Sequence, residues 1–159
     1  MEVKFARIDE RLVHGQIITA WAKKFSINKI LVIDNEIARD PFMSQVITLS
    51  AQAGMDITIL EAVKAVEYLR NVTAKGNLML LFKNPKPVLE LSEAGYILPE
   101  VNLGNLGSSP TRKRISKNVS LSEEETELVR KIVALGTYVY LQMVPADPQI
   151  DIKSVLQKN

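Results

Sequence analysis

Cysteine is absent from the 159 residues, which excludes disulfides and thiolate metal sites and fits a reducing cytosol. Histidine occurs once, so no imidazole-rich zinc centre can be assembled, and neither a metal nor another cofactor is expected. No apolar run approaches the ~20 residues of a membrane-spanning helix, and Met1-Glu2-Val3-Lys4 does not open a secretory leader. A soluble, cytoplasmic chain is expected. The net charge of +2 is too slight to argue for nucleic acid or a membrane surface as partner. No internal repeat, low-complexity segment or linker divides the chain, and its length suits a single domain, residues 1–159.

What the chain has instead is charge gathered around its one imidazole. Arg7-Ile8-Asp9-Glu10-Arg11-Leu12-Val13-His14-Gly15-Gln16 places two arginines and two carboxylates just before that histidine. Val3-Lys4-Phe5-Ala6 alternates like a short strand, and Ile17-Ile18-Thr19-Ala20-Trp21-Ala22 begins a helical apolar pattern. His14 is therefore expected in a strand-to-helix crossing loop at a helix start. Free backbone N–H groups and the positive end of a helix dipole favour anions and disfavour an imidazolium there, so a neutral, nucleophilic histidine is expected. A phosphoryl group on it would be a dianion in a place suited to one, with Arg7 or Arg11 available for charge-assisted contacts. Asp9 or Glu10 either accepts the hydrogen of the other ring nitrogen, fixing the tautomer, or holds an arginine; the sequence leaves both roles open. Each residue alone has a plainer explanation: a capping histidine, a turn at Gly15, a solvated charged face. Their combination in one loop marks the site.

Beyond this loop the chain alternates strands and helices. Lys29–Asp34, Asp56–Leu60 and the nearly all-apolar Asn77–Phe82 read as buried strands, with further strands expected over Tyr96–Leu103 and Thr137–Val144. Helices are expected from Asp40-Pro41 to about Gln52, over Glu61–Arg70, around Val88–Ala94, from Ser122 to Leu135, and over Ile150–Leu156. Ser122-Glu123-Glu124-Glu125 is a capping box and is assigned to structure, not catalysis. Ile115–Leu121 alternates strictly, as an antiparallel edge strand does. The expected fold class is α/β: an open, mostly parallel sheet of about seven strands with helices on both faces and an antiparallel edge strand. Asp34-Asn35-Glu36 would lie at a strand's carboxyl end, where such sheets form ligand sites, or else be a solvated connection. Gly104–Arg114 combines glycines, hydroxyls and three basic residues without the spacing of a nucleotide P-loop. It is expected to form a second wall of the site or a docking surface, with Ser108 and Arg112 contributing, although an ordinary surface loop has similar composition.

The run Arg7-Ile8-Asp9-x-Arg11-Leu12-x-His14-Gly15-Gln16 resembles the signature of enzyme IIB of the mannose/fructose/sorbose family of the bacterial phosphotransferase system. The resemblance continues through Val32–Asp40, Phe82-Lys83-Asn84-Pro85, Val101–Ser109, Ser122–Glu125 and Val139–Pro145, and so covers essentially the whole chain. It implies a cytosolic domain whose histidine takes a phosphoryl group from a phosphohistidine of enzyme IIA and passes it to a sugar translocated by the membrane subunits IIC and IID. By motif position His14 would carry the phosphoryl group at Nδ1, Arg11 would contact it, and Asp9 would be the adjacent loop carboxylate. Arg7, Gly15, Gln16, Ser108 and Arg112 are candidates for phosphate binding or for supporting those groups. Sugar selectivity is expected mainly in the membrane subunits, with which the chain would associate at the inner face of the membrane. The oligomeric state is left open. The alternative function is a regulatory module that is phosphorylated and binds partners without phosphorylating sugar. A nucleotide-binding α/β protein ranks lower, because no nucleotide fingerprint follows the first strand.

Overall fold

The computed structural model describes residues 2–51, 55–71, 73 and 75–157, and of Gln16 and Ile17 the main chain alone. Strand β1 (Glu2–Asp9) runs three residues past the alternation seen in Val3–Ala6. Arg7 and Ile8 belong to it because they pair in parallel with β-structure at both sides, Arg7 opposite both Leu81 and Asn102, and Asp9 because it pairs on one side with Asn105. After it come α1 (Gly15–Lys24), β2 (Lys29–Ile33), a single-turn α2 (Asn35–Ala38) and α3 (Pro41–Leu49). Asp40 caps α3 by accepting from the N–H groups of Phe42 and Met43, with Pro41 in the first turn. The helix ends at Leu49, short of the expected Gln52, and Gln52, Ala53 and Gly54 lie outside the described residues.

Next are β3 (Asp56–Leu60), α4 (Ala62–Asn71), β4 (Asn77–Phe82), α5 (Pro85–Glu93) and β5 (Glu100–Asn105). The segment expected as one edge strand over Ile115–Leu121 is instead a hairpin, β6 (Lys113–Ser116) and β7 (Val119–Leu121), forming its own two-stranded antiparallel sheet. Lys117 and Asn118 turn the chain between them, a break that alternation alone does not reveal. The chain closes with α6 (Glu123–Ala134), β8 (Tyr138–Leu141), β9 (Ile150–Asp151) and α7 (Ile152–Leu156). The antiparallel edge of the main sheet is β9, in the segment expected to be wholly helical.

The seven-stranded sheet has the order β3-β2-β4-β1-β5-β8-β9 and is parallel up to its last pair. Strand alternation sorts its side chains onto two faces. Leu78, Leu80 and Phe82 of β4 join a cluster with Ala65 and Val66 of α4, Val88 and Leu91 of α5, Val129 and Ile132 of α6, and Ile152 of α7. Met79 and Leu81 point the other way, onto Ile18, Trp21 and Ala22 of α1, Ile37 of α2 and Ile47 of α3. Among the described residues no helix is long and apolar enough to cross a membrane.

The order of strands decides where a site can form. From β1 the chain moves to one side of the sheet, to β2 and β3, and from β5 it moves to the other side, to β8. The connections after β1 and β5 therefore diverge, and a crevice opens at the carboxyl ends of these adjacent strands. The loops that leave there carry His14 and Leu106–Arg112, while Gly104 and Asn105, expected in the second loop, end β5.

Candidate functional site

His14 is the N-cap residue of α1, with extended backbone, and no side chain caps that helix start. The turn before it closes with the N–H of Leu12 donating to Asp9 O at 2.9 Å. Leu12 adopts a left-handed backbone (φ 55), unusual for a branched residue, while its side chain is buried among Phe5, Ile18 and Trp21. Gly15 is also left-handed (φ 40), as its lack of a Cβ permits. These two positions flip the chain out of β1 and into α1, leaving the imidazole partly exposed between them.

The imidazole is held by Asp9, whose Oδ2 lies 3.2 Å from His14 Nε2. A carboxylate oxygen accepts, so Nε2 carries the hydrogen, and in the neutral ring Nδ1 keeps its lone pair. Asp9 is fully buried. Its Oδ2 also accepts from Arg7 Nε and Nη2 at 3.3 and 3.1 Å, and its Oδ1 accepts from the Arg11 N–H at 3.0 Å. The sequence expectation of Arg7 and Asp9 in a loop is thus corrected: both are strand residues with fully buried side chains. Arg7 faces inward, its Nη1 donating to Asn102 Oδ1 at 2.6 Å and to Gln142 O at 3.1 Å. It is therefore not the free cation for an anion in the crevice that the sequence suggested. Burial pulls its guanidinium below the ordinary value against Asp9, which raises it, and the group stays protonated across neutral pH.

Arg11 is the cation that does face outward. Its side chain is 49% exposed and its Nε is 3.9 Å from Asp9 Oδ1. With the Asn105 amide oriented to satisfy its neighbours, Asn105 accepts from Arg11 Nε at 3.2 Å and donates to Asn118 O at 3.3 Å. Of Gln16, the main chain belongs to α1 and the side chain lies outside the described residues.

The loop after β5 is fastened to the His14 loop through Glu10. The N–H of Gly107 donates to Glu10 Oε1 at 2.6 Å, and Arg112 Nη1 reaches Glu10 Oε2 at 3.1 Å. Arg112 also forms a two-pronged pair with Glu125, both contacts at 2.9 Å. Glu125 is the last residue of the expected capping box, which is present: Ser122 Oγ accepts from the Glu125 N–H and Glu125 Oε1 accepts from the Ser122 N–H. Glu125's hydrogen bonds hold the Arg112 guanidinium above its ordinary value despite burial. Desolvation pushes the Glu125 carboxyl up, but Arg112 and Ser122 outweigh it, and the carboxyl sits below its usual range. Arg112 is thus a brace between two loops and a helix start. Ser108 is exposed and has no hydrogen bond among the described residues. The acidic stretch after β2, expected as a ligand edge or a solvated connection, is instead fastened into the fold: Asp34 is buried and caps α2 through the Ile37 N–H, and Asn35 bonds Glu90 and the Ala62 N–H.

Beside the imidazole lies a cavity of about 260 Å³ lined by Val13, His14, Ile18, Ala22, Ser50 and Met55 among others. No group of His, Cys, Asp and Glu able to hold a metal occurs among the described residues. Asn102 and Gln142 were given no role from sequence, and Gly104 was expected in an anion-facing loop; all three shape the ground behind Asp9. The one available signal was Asn102, a polar residue inside the apolar strand Val101–Leu103.

The chain and its fold are similar to those of known proteins. The model of the family described as PTS system sorbose subfamily IIB component matches residues 3–159. The sorbose-specific EIIB component of Lacticaseibacillus casei is 31% identical over 153 residues, covering 96% of this chain and 93% of that protein. The mannose-specific EIIAB component of Escherichia coli K12 is 30% identical over 159 residues, 99% of this chain but 49% of the longer protein. The crystal structure of the IIBSor domain of the Klebsiella pneumoniae sorbose permease superposes with a TM-score of 0.91 at 28% identity, covering 100% of this chain and 98% of that one.

Proposed function

The chain belongs to the sorbose-subfamily IIB family of the phosphotransferase system, and on that premise we propose that His14 is its phosphoryl acceptor and donor. The observation that carries the reading is the 3.2 Å contact between Asp9 Oδ2 and His14 Nε2 at a helix start that no side chain caps. With Nε2–H held by Asp9, the lone pair on Nδ1 attacks the phosphorus of a phosphohistidine presented by enzyme IIA. The new P–N bond forms as the donor's P–N bond breaks, and the donor imidazole leaves with the electron pair. The N–H groups in the first turn of α1 and the outward-facing Arg11 stabilise the charge spread over the three transferring oxygens. Asp9 stabilises the positive charge that develops on the ring.

In the second half-reaction a sugar hydroxyl presented by the membrane subunits IIC and IID displaces Nδ1 from phosphorus. Its proton passes to the departing ring or to water. Protein groups supply all the positive charge these steps use. The domain works in the cytoplasm and meets the membrane through IIC and IID. The resemblance of 99% of the chain to about half of an EIIAB protein supports IIA as the donor.

The test is incubation with phosphoenolpyruvate, enzyme I, HPr and the cognate IIA, read by intact mass. One phosphoryl group is expected, lost in acid as phosphohistidine is, and none on His14→Ala. Undiminished phosphorylation of folded His14→Ala overturns the assignment.

A further inference from the structure

Behind His14 a continuous line of polar side chains runs into the sheet, from the imidazole to Asp9, from Asp9 to Arg7 and from Arg7 to Asn102. Asn102 sits in β5 between Val101 and Leu103, and all three are fully buried. Such a position in a parallel sheet suits a β-branched or aliphatic side chain, and a buried amide is costly unless its hydrogen-bonding capacity is used. Here it is used: Oδ1 accepts from Arg7 Nη1 at 2.6 Å and Nδ2 donates to Gln142 O at 3.0 Å. The same carbonyl takes a second hydrogen bond from Arg7 Nη1 at 3.1 Å. The guanidinium is closed in on its other sides as well. Gly104 leaves open the space that a Cβ would fill 2.1 Å from Arg7 Cζ, and the Trp21 ring centre is 5.7 Å from that carbon.

A guanidinium so held presents Nε and Nη2 to a single oxygen of Asp9, the one that faces His14. The carboxylate cannot turn that oxygen away without abandoning Arg7, and a carboxylate fixed in this way keeps the hydrogen on Nε2. We propose that Asn102 is a positioning residue for phosphoryl transfer, clamping Arg7 so that Asp9 holds His14 as the Nε2–H tautomer with Nδ1 open to phosphorus. The inference rests on His14 being the acceptor. Its effect on the ring, however, is measurable without any transfer.

Because the chain has one histidine, the ring nitrogens of the 15N-labelled protein report that residue alone. In wild type the Nε2–H tautomer is expected to dominate. Asn102→Leu, alike in side-chain branching but unable to bond Arg7, is expected to give a mixture of tautomers. Single-turnover transfer from phosphorylated IIA should fall about tenfold or more, with the half-saturating IIA concentration unchanged, since the orienting partner and not the docking surface is affected. Asn102→Ser, which admits water beside Arg7, provides a second variant should the leucine not fold, and the same shift is expected. A folded variant of either kind that keeps the wild-type tautomer ratio overturns the proposal, as does a wild-type ring already present as a mixture. Loss of folding in both makes position 102 a purely structural requirement and also overturns it. If wild type takes up no phosphoryl group, the functional reading fails, while the tautomer comparison still decides what Asn102 does to the ring.

Discussion

The guanidinium of Arg7 occupies the space beside Gly104 where any other residue would place its Cβ, at 2.1 Å from Cζ and 2.2 Å from Nη1. Glycines in this loop suggested a backbone opened to an anion, but this one accommodates a buried cation. Gly104→Ala should force Arg7 away from Asn102 and Asp9, at about 1–3 kcal/mol in denaturant unfolding, as for other overpacked sites. An unchanged midpoint with unchanged slope would show that the guanidinium yields without cost.

Asp9→Asn preserves shape but leaves the fully buried Arg7 without its counter-charge. The expected loss is about 3–5 kcal/mol, measured by urea titration, because an uncompensated buried charge is left behind. Adding Arg7→Met should recover much of that stability without restoring phosphoryl transfer, which separates the pair's role in folding from its role at the imidazole.

Arg11→Ala should behave oppositely. The side chain is half exposed and its ion pair with Asp9 is long, 3.9 Å, so stability should change by at most ~1 kcal/mol. The transfer rate from IIA, followed by rapid mixing, should fall by the equivalent of about 2–4 kcal/mol if Arg11 meets the transferring phosphoryl group. Arg11→Lys, charged but without the planar fork, should lie between. Transfer by folded Arg11→Ala within a few-fold of wild type would reduce Arg11 to a surface partner of Asp9.

The Arg112–Glu125 pair sets an acid limit. Glu125 has a folded value held below its ordinary one, so its contribution is fully present above the unfolded carboxyl value of ~4.3 and is lost as pH falls through the folded value. Wild type should therefore exceed Glu125→Gln in stability at neutral pH, with the difference shrinking below about pH 4. Equal differences at pH 7 and pH 3.5 would show that the charge of Glu125 contributes nothing.

The parallel strands of the central sheet, the caps at Asp40 and Ser122 and the loop position of His14 were legible in the sequence, because each follows from local patterning, whereas the antiparallel edge strand β9 lay in a segment read as helix. What was not legible depends on pairing across the chain. Arg7 and Asp9 look like loop residues beside Glu10 and Arg11, and only pairing with β4 and β5 makes them strand. Arg112 looks like an anion ligand until Glu10 and Glu125, far from it in sequence, are seen to enclose it. Ile115–Leu121 has the period of one strand, yet Lys117 and Asn118 fold it back on itself. Asn102 carried a signal, an amide in an apolar run, that gains meaning only from its register opposite Arg7.

The separation in sequence between Arg7 and its partners, 95 residues to Asn102 and 135 to Gln142, bears on how the protein comes to be competent. Closing such long loops is entropically unfavourable until the strands dock, so these contacts belong to the slow, non-local part of folding. The turn bearing His14 can form locally, but the charge network beneath it cannot exist before β5 and the segment after β8 have found β1. A partly folded chain displays its histidine without the orientation on which the proposed acceptor role depends. On the proposed function, reactivity at His14 is thereby tied to completed topology and not to the local turn alone.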